Sequence, residues 1–289
     1  MNKTKRLLTV LLVVLLALMP CSHVQAASKD KITISVYQNY GKAQEVLKLI
    51  NKERKKRGLS ALKMDKRLTK HAITRSAELC VMVPWTSPHM RPNGARNSDT
   101  DSVVYECCQE RGIGGEDPSP KAVVKDWMSS PSHKAGILLS YAQSVGIAFV
   151  QTDEGRTGHY VLEFSADPAN SVEKSTKKKF FNVKVKSKRK YLSKKAFSMK
   201  VEYTYSDYDA KTPGMYIRTY IDTKKSIGEY YVSSSNFKFK SSNTSVATIS
   251  KKGKITPVSP GKVTFTVTYK SNPKIKKKIK YTITQSDLE

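Results

Sequence analysis

The feature that most constrains this chain is a change of hydrophobic period near residue 170. Before it, apolar residues recur three and four positions apart in residues 43–57 and 65–81, which is the spacing of one helix face. After it, apolar residues alternate with lysine, threonine or asparagine, as in residues 263–269, which is typical of half-buried strands. The 289 residues are therefore predicted to form two independently folding units, with a linker at 167–176.

The first 26 residues have the pattern of a secretory signal peptide. Three basic residues precede 13 uncharged apolar residues at 7–19, and Ala26 supplies a small side chain for cleavage. Thirteen residues are too few to span a bilayer as a helix. Cys21 raises the question of a lipid anchor, but Pro20 suits that processing site poorly. We therefore expect an exported protein, extracellular or associated with the cell wall, with units at 27–170 and 171–289.

The predicted fold class is α+β. Two shorter helices begin near Ser119 and Ser132, and strands are expected at 145–150 and 159–164. Helices that flank a few strands favour an α/β/α sandwich for the first unit. Short alternating strands separated by turns favour an all-β sandwich for the second unit.

Several phrases between residues 43 and 166 occur in the order of a known family. They include Asn51-Lys-Glu-Arg54, Ser87-Pro-His-Met-Arg-Pro-Asn-Gly94 and the block from Trp127 to Leu138. Together they resemble the CAP domain family, also called SCP or pathogenesis-related-1 domains. The resemblance implies an α/β/α sandwich with a cleft built from two histidines and one or two glutamates.

The histidines of that cleft match His89 and His133. The usual Gly-Glu-Asn-Ile phrase is missing, and Glu106 stands in its place, with Glu110 as the alternative. A second glutamate of some relatives is replaced here by Ser130. His71 is predicted to lie on a solvated helix face, and His159 is expected to have no special role.

The chemistry of such a cleft stays open at this stage. Two neutral imidazoles, those of His89 and His133, can ligate a divalent metal such as zinc, although catalytic zinc usually has three protein ligands. The alternative is a hydrogen-bonded polar cluster that fastens loops to the sandwich. The sequence contains no Gly-x-Ser-x-Gly, His-Glu-x-x-His or phosphate-loop motif. Whether the protein is an enzyme is therefore left open.

Three cysteines remain after cleavage of the signal peptide: Cys80, Cys107 and Cys108. An odd number permits at most one intrachain disulfide. Neighbouring strand residues point to opposite faces, so Cys107 and Cys108 cannot both face Cys80. A bridge from Cys80 to one of them, three reduced thiols, and a thiol-imidazole metal site are the alternatives.

The second unit also contains a recognisable phrase. It runs from Ser241 to Ile249, continues at Gly253-Lys-Ile-Thr and ends at Val258-Ser-Pro-Gly-Lys-Val-Thr-Phe265. It resembles the bacterial Ig-like group 2 family, with residues 177–235 expected to complete the module.

Charge is concentrated in the same unit. Residues 171–289 carry a net charge of +20, against +5 for residues 27–170. A field of this sign attracts polyanions in a salt-dependent way, and outside a bacterium these are anionic cell-wall polymers or lipid head groups. A solvated lysine surface that protects sheet edges is the alternative. Nucleic acid is not favoured, because no aromatic-basic binding module is visible.

These observations predict a secreted bacterial protein with a non-enzymatic role. The cleft would bind a small ligand or lipid, and the basic module would associate with the wall. A metal-dependent hydrolase that uses His89, His133 and a glutamate is the alternative function.

Overall fold

A computed structural model describes residues 30–81, 89–99, 103–110, 119–152, 159–187, 197–204, 214–222 and 229–289. The predicted signal peptide and the hairpin turn expected at 153–156 lie outside these residues. In the first half of the chain the helices are α1 (Tyr40–Lys55), α2 (Lys66–Val81), α3 (Pro120–Ser129) and α4 (Pro131–Ile137). The strands there are β1 (Asp30–Asn39), β2 (Lys63–Met64), β3 (Tyr105–Glu110), β4 (Ser144–Thr152) and β5 (His159–Ser165).

The second half contains strands and short 3-10 turns in its described residues. The strands are β6 (Lys178–Ser187), β7 (Phe197–Thr204), β8 (Gly214–Asp222), β9 (Glu229–Tyr231), β10 (Phe237–Ser241), β11 (Ala247–Ile249), β12 (Ile255–Pro257), β13 (Gly261–Tyr269) and β14 (Lys276–Ile283). The predicted α+β class, an α/β/α sandwich followed by an all-β Ig-like unit, is confirmed.

The first sheet has the order β3-β5-β4-β1-β6, and β2 pairs with β4 in parallel. Residues of α1, α3 and α4 pack on one face of this sheet, where Trp127 is 1% exposed. The apolar side of α2, which includes Ala72 and Ala77, packs on the other face. Strand β3 is an edge strand, so side chains from both faces can meet around it.

The helices begin where the sequence supplies caps. Asn39 accepts a hydrogen bond from the Lys42 amide at the start of α1, and Ser119 does the same for Ala122 at the start of α3. Helix α2 lies so close to the sheet that a Cβ at Gly146 would collide with the backbone of Leu68. A side chain there would push α2 away, and with it the polar residues described below.

The all-β unit consists of the sheets β10-β13-β14, β7-β8-β9 and β11-β12. Alternate residues of β13 are buried, with Phe265 and Val267 both at 0% exposure. This matches the predicted period of two. These side chains share one apolar cluster with Ile32 and Ile34 of β1, so a continuous core runs from the α2 face into the second unit.

Strands β1 and β6 form the connection between the two units. They pair antiparallel over ten residues, from Asp30↔Ser187 to Asn39↔Lys178. The Thr33 amide donates to Asn236 Oδ1 at 2.9 Å, and Asn236 Nδ2 donates to the Thr33 carbonyl at 3.0 Å. The start of β1 is thereby fixed to the second unit, while Val36–Gln38 pair with β4 in the first.

The predicted linker is held against the first unit by hydrogen bonds. The Asp65 carboxylate accepts from the amides of Asn170 and Ser171 at 3.1 and 3.3 Å, and Gln44 Nε2 donates to the Glu173 carbonyl. Strand β6, which follows the predicted boundary at residue 170, lies in the sheet of the first unit. The division into 27–170 and 171–289 as independently folding units stays a prediction.

We expect Asn236→Ala to lower the free energy of unfolding by about 1–3 kcal/mol, because it leaves the Thr33 amide without its acceptor in a part-buried site. Urea unfolding of the mature chain, followed by circular dichroism, measures the effect. The exposed Gln285→Ala variant is the control and should change stability by no more than about 0.5 kcal/mol. An unchanged midpoint for Asn236→Ala would show that this contact does not couple the units.

Candidate functional site

Two glutamates lie side by side on the α2 face of the sheet. Glu106 of β3 and Glu163 of β5 are register partners, and both are buried, at 7% and 0% exposure. Like charges directly opposite on neighbouring strands repel each other. The residues around the two carboxylates therefore have to supply compensating charge and hydrogen bonds.

Asn97 and Arg75 supply part of this compensation. Asn97 Nδ2 donates to Glu106 Oε1 at 3.0 Å and to Glu163 Oε1 at 2.8 Å, so one amide bridges both carboxylates. Arg75 Nε of α2 donates to Glu106 Oε1 at 2.7 Å. Burial alone would raise the pKa of Glu106, but hydrogen bonds and charge from His89 and Arg75 outweigh it and lower the pKa.

Glu163 is compensated by a histidine rather than an arginine. His71 Nδ1 lies 2.6 Å from Glu163 Oε2, and Arg91 Nη1 lies 3.3 Å from His71 Nε2. Because arginine can only donate, Nε2 of His71 accepts and Nδ1 carries the proton. Burial raises the pKa of Glu163, and the hydrogen bond from His71 opposes that rise.

Arg91 also ties the loop at residues 89–99 to α2. Its Nη2 and Nε donate to the Glu78 carboxylate at 2.7 and 2.9 Å in a two-point contact. Gly94, with a φ of 89°, closes the turn that returns the chain, and the Asn97 amide donates to the His89 carbonyl at 3.0 Å. The loop is thus fixed by the same cluster that neutralises the glutamates.

His89 projects from this loop toward solvent. Its side chain is 63% exposed, and Nδ1 lies 2.8 Å from Glu106 Oε2. A carboxylate can only accept, so Nδ1 carries the proton and Nε2 of the neutral ring is left as an acceptor. This is the carboxylate-histidine arrangement that fixes the tautomer and orientation of an imidazole.

His133 approaches from the opposite face of the sheet, on α4. Tyr105 Oη donates to the Ser132 carbonyl at 2.7 Å, and Cys107 Sγ donates to the His133 carbonyl at 3.6 Å. Burial lowers the pKa of His133, and the charge of His89 lowers it further. The imidazole of His133 is therefore neutral near pH 7.

Buried Arg54 fixes the position of α4. Its side chain is 0% exposed, and its guanidinium donates to the carbonyls of Ile137, Leu139 and Ala142 just after that helix. At the other end of α4, Ser130 stands at the N-cap and Pro131 at the first position. His133 is thereby placed on a short helix whose C-terminal end is held by Arg54.

A cleft of about 490 Å³ opens beside His89. Glu106 lies at its base, and Arg96 adds a positive charge at its wall. The remaining surface is largely apolar and includes Val103, which is buried, and Val104, which is 39% exposed. Such a lining suits a ligand with an apolar body and an anionic or polar end.

Only some of the predicted site residues lie close together in the structure. Glu106 and His89 meet beside the cleft, whereas His133 is not among the described residues that line it. Glu110 lies four residues further along β3, with its side chain outside the described set. The expectation for His71 was wrong, since it is only 7% exposed and bonded to Glu163. That His159 has no special role stays a prediction. His159 is 4% exposed, and burial with the charge of Arg75 lowers its pKa to about 3.

Cys107 is a free and fully buried thiol. It faces α4, whereas its neighbour Glu106 faces α2, because side chains alternate across the strand. A bridge between Cys107 and Cys80 of α2 is therefore wrong. Burial, and secondarily the charge of Glu106, raises the pKa of the Cys107 thiol, so it is protonated and unreactive. The side chains of Cys80 and Cys108 lie outside the described residues.

Sequence reasoning missed five members of the cluster: Arg75, Glu78, Arg91, Asn97 and Glu163. Two signals could have found some of them. His71, Arg75 and Glu78 are spaced i, i+4 and i+7, which puts three charged or polar groups on one helix face. Glu163 interrupts an otherwise apolar strand, and a lone acid in such a strand needs a partner.

His89 and His133 were predicted as metal ligands, so the number of ligand atoms near them matters. Among the residues that the structure describes, no three His, Cys, Asp or Glu side chains are grouped to hold a metal ion. His89 Nε2 and one nitrogen of His133 are donors of the right kind for zinc, but they are one short of the usual three protein ligands. Both oxygens of Glu106 are already hydrogen-bonded.

The chain combines two recognisable units. The first is an α/β/α sandwich with a histidine-carboxylate cluster at its edge strand, and the second is Ig-like. Residues 47–164 match the family model described as the cysteine-rich secretory protein family, the CAP domain, and residues 223–279 match that of the bacterial Ig-like domain, group 2. The chain thus carries a CAP domain followed by a bacterial Ig-like domain, as the motifs predicted.

Several known bacterial proteins are similar to part of this chain. The uncharacterized protein YkwD of Bacillus subtilis is 26% identical over 132 residues, which is 45% of this chain and 48% of the relative. The chain therefore spans about half the length of this curated relative. An outer surface protein of Borrelia burgdorferi aligns with a TM-score of 0.34 and 21% identity, covering 43% of this chain and 90% of that one. An extracellular protein with an SCP domain from Bacillus anthracis aligns with a TM-score of 0.34 and 17% identity, covering 42% and 39%.

We expect Glu106→Gln to lower the free energy of unfolding by about 3 kcal/mol at neutral pH, because it removes the carboxylate 2.7 Å from the buried Arg75 and leaves that guanidinium to the more distant Glu78, at 3.8 Å. The folded-state pKa of Glu106 is lowered, so its contribution is present above the ordinary value of 4.5 and disappears as pH falls through the lowered value. The variant should lack this part of the acid sensitivity. Urea unfolding between pH 7 and pH 3 measures both effects.

Glu53→Gln is the matched control for this experiment. Hydrogen bonds from Lys56 and Arg57 lower the pKa of Glu53 as well, but the pairs lie at the surface. Its loss should cost less than about 1 kcal/mol. Equal costs for the two substitutions would show that the Glu106 cluster does not hold the edge of the sheet.

Proposed function

We propose that this is an exported bacterial CAP-domain protein that acts by binding rather than by catalysis. Its cleft beside His89 takes a small amphipathic ligand, and its basic Ig-like unit holds it at an anionic cell wall. The observation that carries the first part is the state of Glu106, since both of its oxygens accept hydrogen bonds from Arg75, Asn97 or His89.

A general base needs a free oxygen within reach of a substrate proton and a pKa matched to the working pH. Glu106 meets neither condition, because its pKa is lowered and both of its oxygens already accept hydrogen bonds that orient the loop and the imidazole. Its role is that of a positioning residue. His89 then presents a fixed acceptor at the mouth of the cleft, which supports recognition of a polar end group on a ligand.

Export is supported by the N-terminal pattern of residues 1–26. In the described residues, no helix has both the length and the apolar character needed to cross a membrane. Wall association is supported by the net charge of +20 after residue 170 and by exposed lysines such as Lys184, Lys186 and Lys251. Charges of one sign on a surface attract polyanions over a distance set by salt.

The alternative is a metal-dependent hydrolase, and the orientation of His89 favours it as a second candidate. With Nδ1 bonded to Glu106, Nε2 of His89 is free to ligate zinc beside the neutral His133. Bound zinc would supply an activated water. The described donors are one short of a catalytic set, so this function ranks second.

We expect dodecanol, a ligand with an apolar tail and a hydroxyl that can donate to His89 Nε2, to bind the mature chain in the cleft. Val104→Glu should weaken binding on the order of tenfold, because it places a charge against the apolar tail. Isothermal titration calorimetry measures the affinity. Val172→Glu is the control, since Val172 has the same 39% exposure and lies beside Asp65, away from the cleft.

Equal affinity in both valine variants would contradict ligand binding at this cleft. One equivalent of zinc in the purified protein, together with wall hydrolysis that disappears in His89→Ala, would establish the hydrolase instead. Elemental analysis and release of soluble wall fragments measure these two properties.

We also expect purified cell walls to retain the mature chain at about 0.15 M salt, where the screening length is roughly 8 Å, and to release it at about 1 M, where it is roughly 3 Å. His89→Ala should leave this retention unchanged, because the cleft is not the wall contact. Sedimentation of walls with bound protein across a salt series is the measurement. Retention that persists at high salt would show that lysine charge is not what holds the protein.

A further inference from the structure

The solvent face of the sheet β10-β13-β14 carries two columns of lysines with threonines between them. The inner face packs on the core through Phe237, Phe265 and Ile283, all at 0–1% exposure. Because side chains alternate along each strand, every second residue points outward. The outward residues are Lys238 and Lys240 on β10, Lys262, Thr264, Thr266 and Thr268 on β13, and Lys276, Lys278, Lys280 and Thr282 on β14.

The strand register arranges these residues in straight rows. Thr268 pairs with Lys238 on one side and Lys276 on the other. The next row is Lys240, Thr266 and Lys278. These two rows, together with the pair Thr264 and Lys280, form what we call the lysine-threonine face. Each of its lysines is exposed, and each of its threonines is half-buried. Thr266 and Thr268 lie between two lysines, whereas Thr264 has Lys280 on one side and Ser242 on the other.

The spacing of the face is regular in both directions. Successive lysines of a column are two residues apart, which is about 7 Å along an antiparallel strand. The columns are two strands apart, which is roughly 10 Å. A single extended chain that lies along β13 would therefore meet a pair of ammonium groups at every 7 Å or so, and a hydroxyl donor below each pair.

This geometry selects for a narrow partner. The threonine hydroxyls lie at the floor between the columns, so only a thin chain can reach them. A planar membrane surface would contact the lysine ends and leave the hydroxyls unused. The hydroxyls can donate to phosphate oxygens while the lysines supply the charge.

The composition around the face points to a polyanion without bases. Residues 230–286 contain 12 lysines and no Asp or Glu, so the three strands of the face carry no charge that repels a polyanion. The outward residues of β10, β13 and β14 include no aromatic ring in the described rows. Single-stranded nucleic acids are usually bound by stacking on aromatic rings, so a polyol phosphate fits the face better.

We infer that the lysine-threonine face binds an extended polyol phosphate chain, the backbone chemistry of wall teichoic polymers, aligned along β13. This rests on the proposed wall association and assigns it to one face. The lysines neutralise successive phosphates, and Thr264, Thr266 and Thr268 donate hydrogen bonds to them. Lys277, which faces inward and donates to the Phe197 carbonyl, takes no part.

The test uses the full mature chain and delipidated poly(glycerol phosphate), with affinity measured by calorimetry across a salt series. The face variant combines Lys238→Gln, Lys240→Gln, Lys276→Gln and Lys278→Gln. The control variant removes four exposed lysines elsewhere: Lys174→Gln, Lys184→Gln, Lys251→Gln and Lys252→Gln. The face variant should bind at least about tenfold more weakly, and its slope of log affinity against log salt should be smaller by about 3.

The control variant should lose less than about threefold and keep most of its salt slope. Equal losses in the two variants would overturn the assignment to this face while wall association by bulk charge stands. If the unmodified chain binds neither walls nor the polymer, the proposed wall association itself fails. Tighter binding to phosphatidylglycerol vesicles, or equal binding to oligothymidylate, would also overturn the assignment.

A second variant separates hydrogen bonding from charge. Thr266→Val with Thr268→Val keeps the net charge and the β-branched shape, so the sheet should fold as before. We expect about a threefold to tenfold loss of affinity with an unchanged salt slope. Unchanged affinity would show that the threonines are not contacts, and that the chain does not lie along β13.

Discussion

The repulsion between two buried carboxylates determines how the CAP domain is assembled. Glu106 and Glu163 are register partners on neighbouring strands, a placement that is unfavourable unless other groups neutralise it. Arg75 and His71 come from α2, and Asn97 comes from the loop at residues 89–99. The charges and hydrogen bonds around the two carboxylates therefore connect the helix, the loop and the edge of the sheet. The exposed His89 owes its fixed orientation to this cluster rather than to packing of its own ring.

Because this cluster joins residues that are far apart in the sequence, the site was only partly predictable. Motif phrases identified His89, His133 and Glu106, because these residues stand in recognisable local patterns. Arg75 and Glu163 were missed, since their roles depend on which strands become neighbours. His71 was misplaced on a solvated face, because the helical wheel alone does not show that a carboxylate of β5 lies beneath it.

The fold was more predictable than the site. Local signals predicted the helices at 43–57 and 65–81 and the alternating strand β13. All three elements formed close to the expected bounds. The partner of β6 was not predictable in this way. Its alternating pattern fits either unit, and only the ten-residue pairing with β1 assigns it to the first sheet. Register between distant strands leaves no mark in a single sequence.

The pairing of β1 also sets an order of events in folding. Its partners lie far along the chain, since Thr33 and Asn236 are 203 residues apart and Asp30 pairs with Ser187. Contacts of such sequence separation form slowly, because a long loop must close first. A ribosome or translocon that releases the chain from its N-terminus delivers β1 long before anything can pair with it. The strand must wait unpaired until β4 and then β6 have emerged, and its contact with Asn236 forms later still, so the joint between the two domains is completed late.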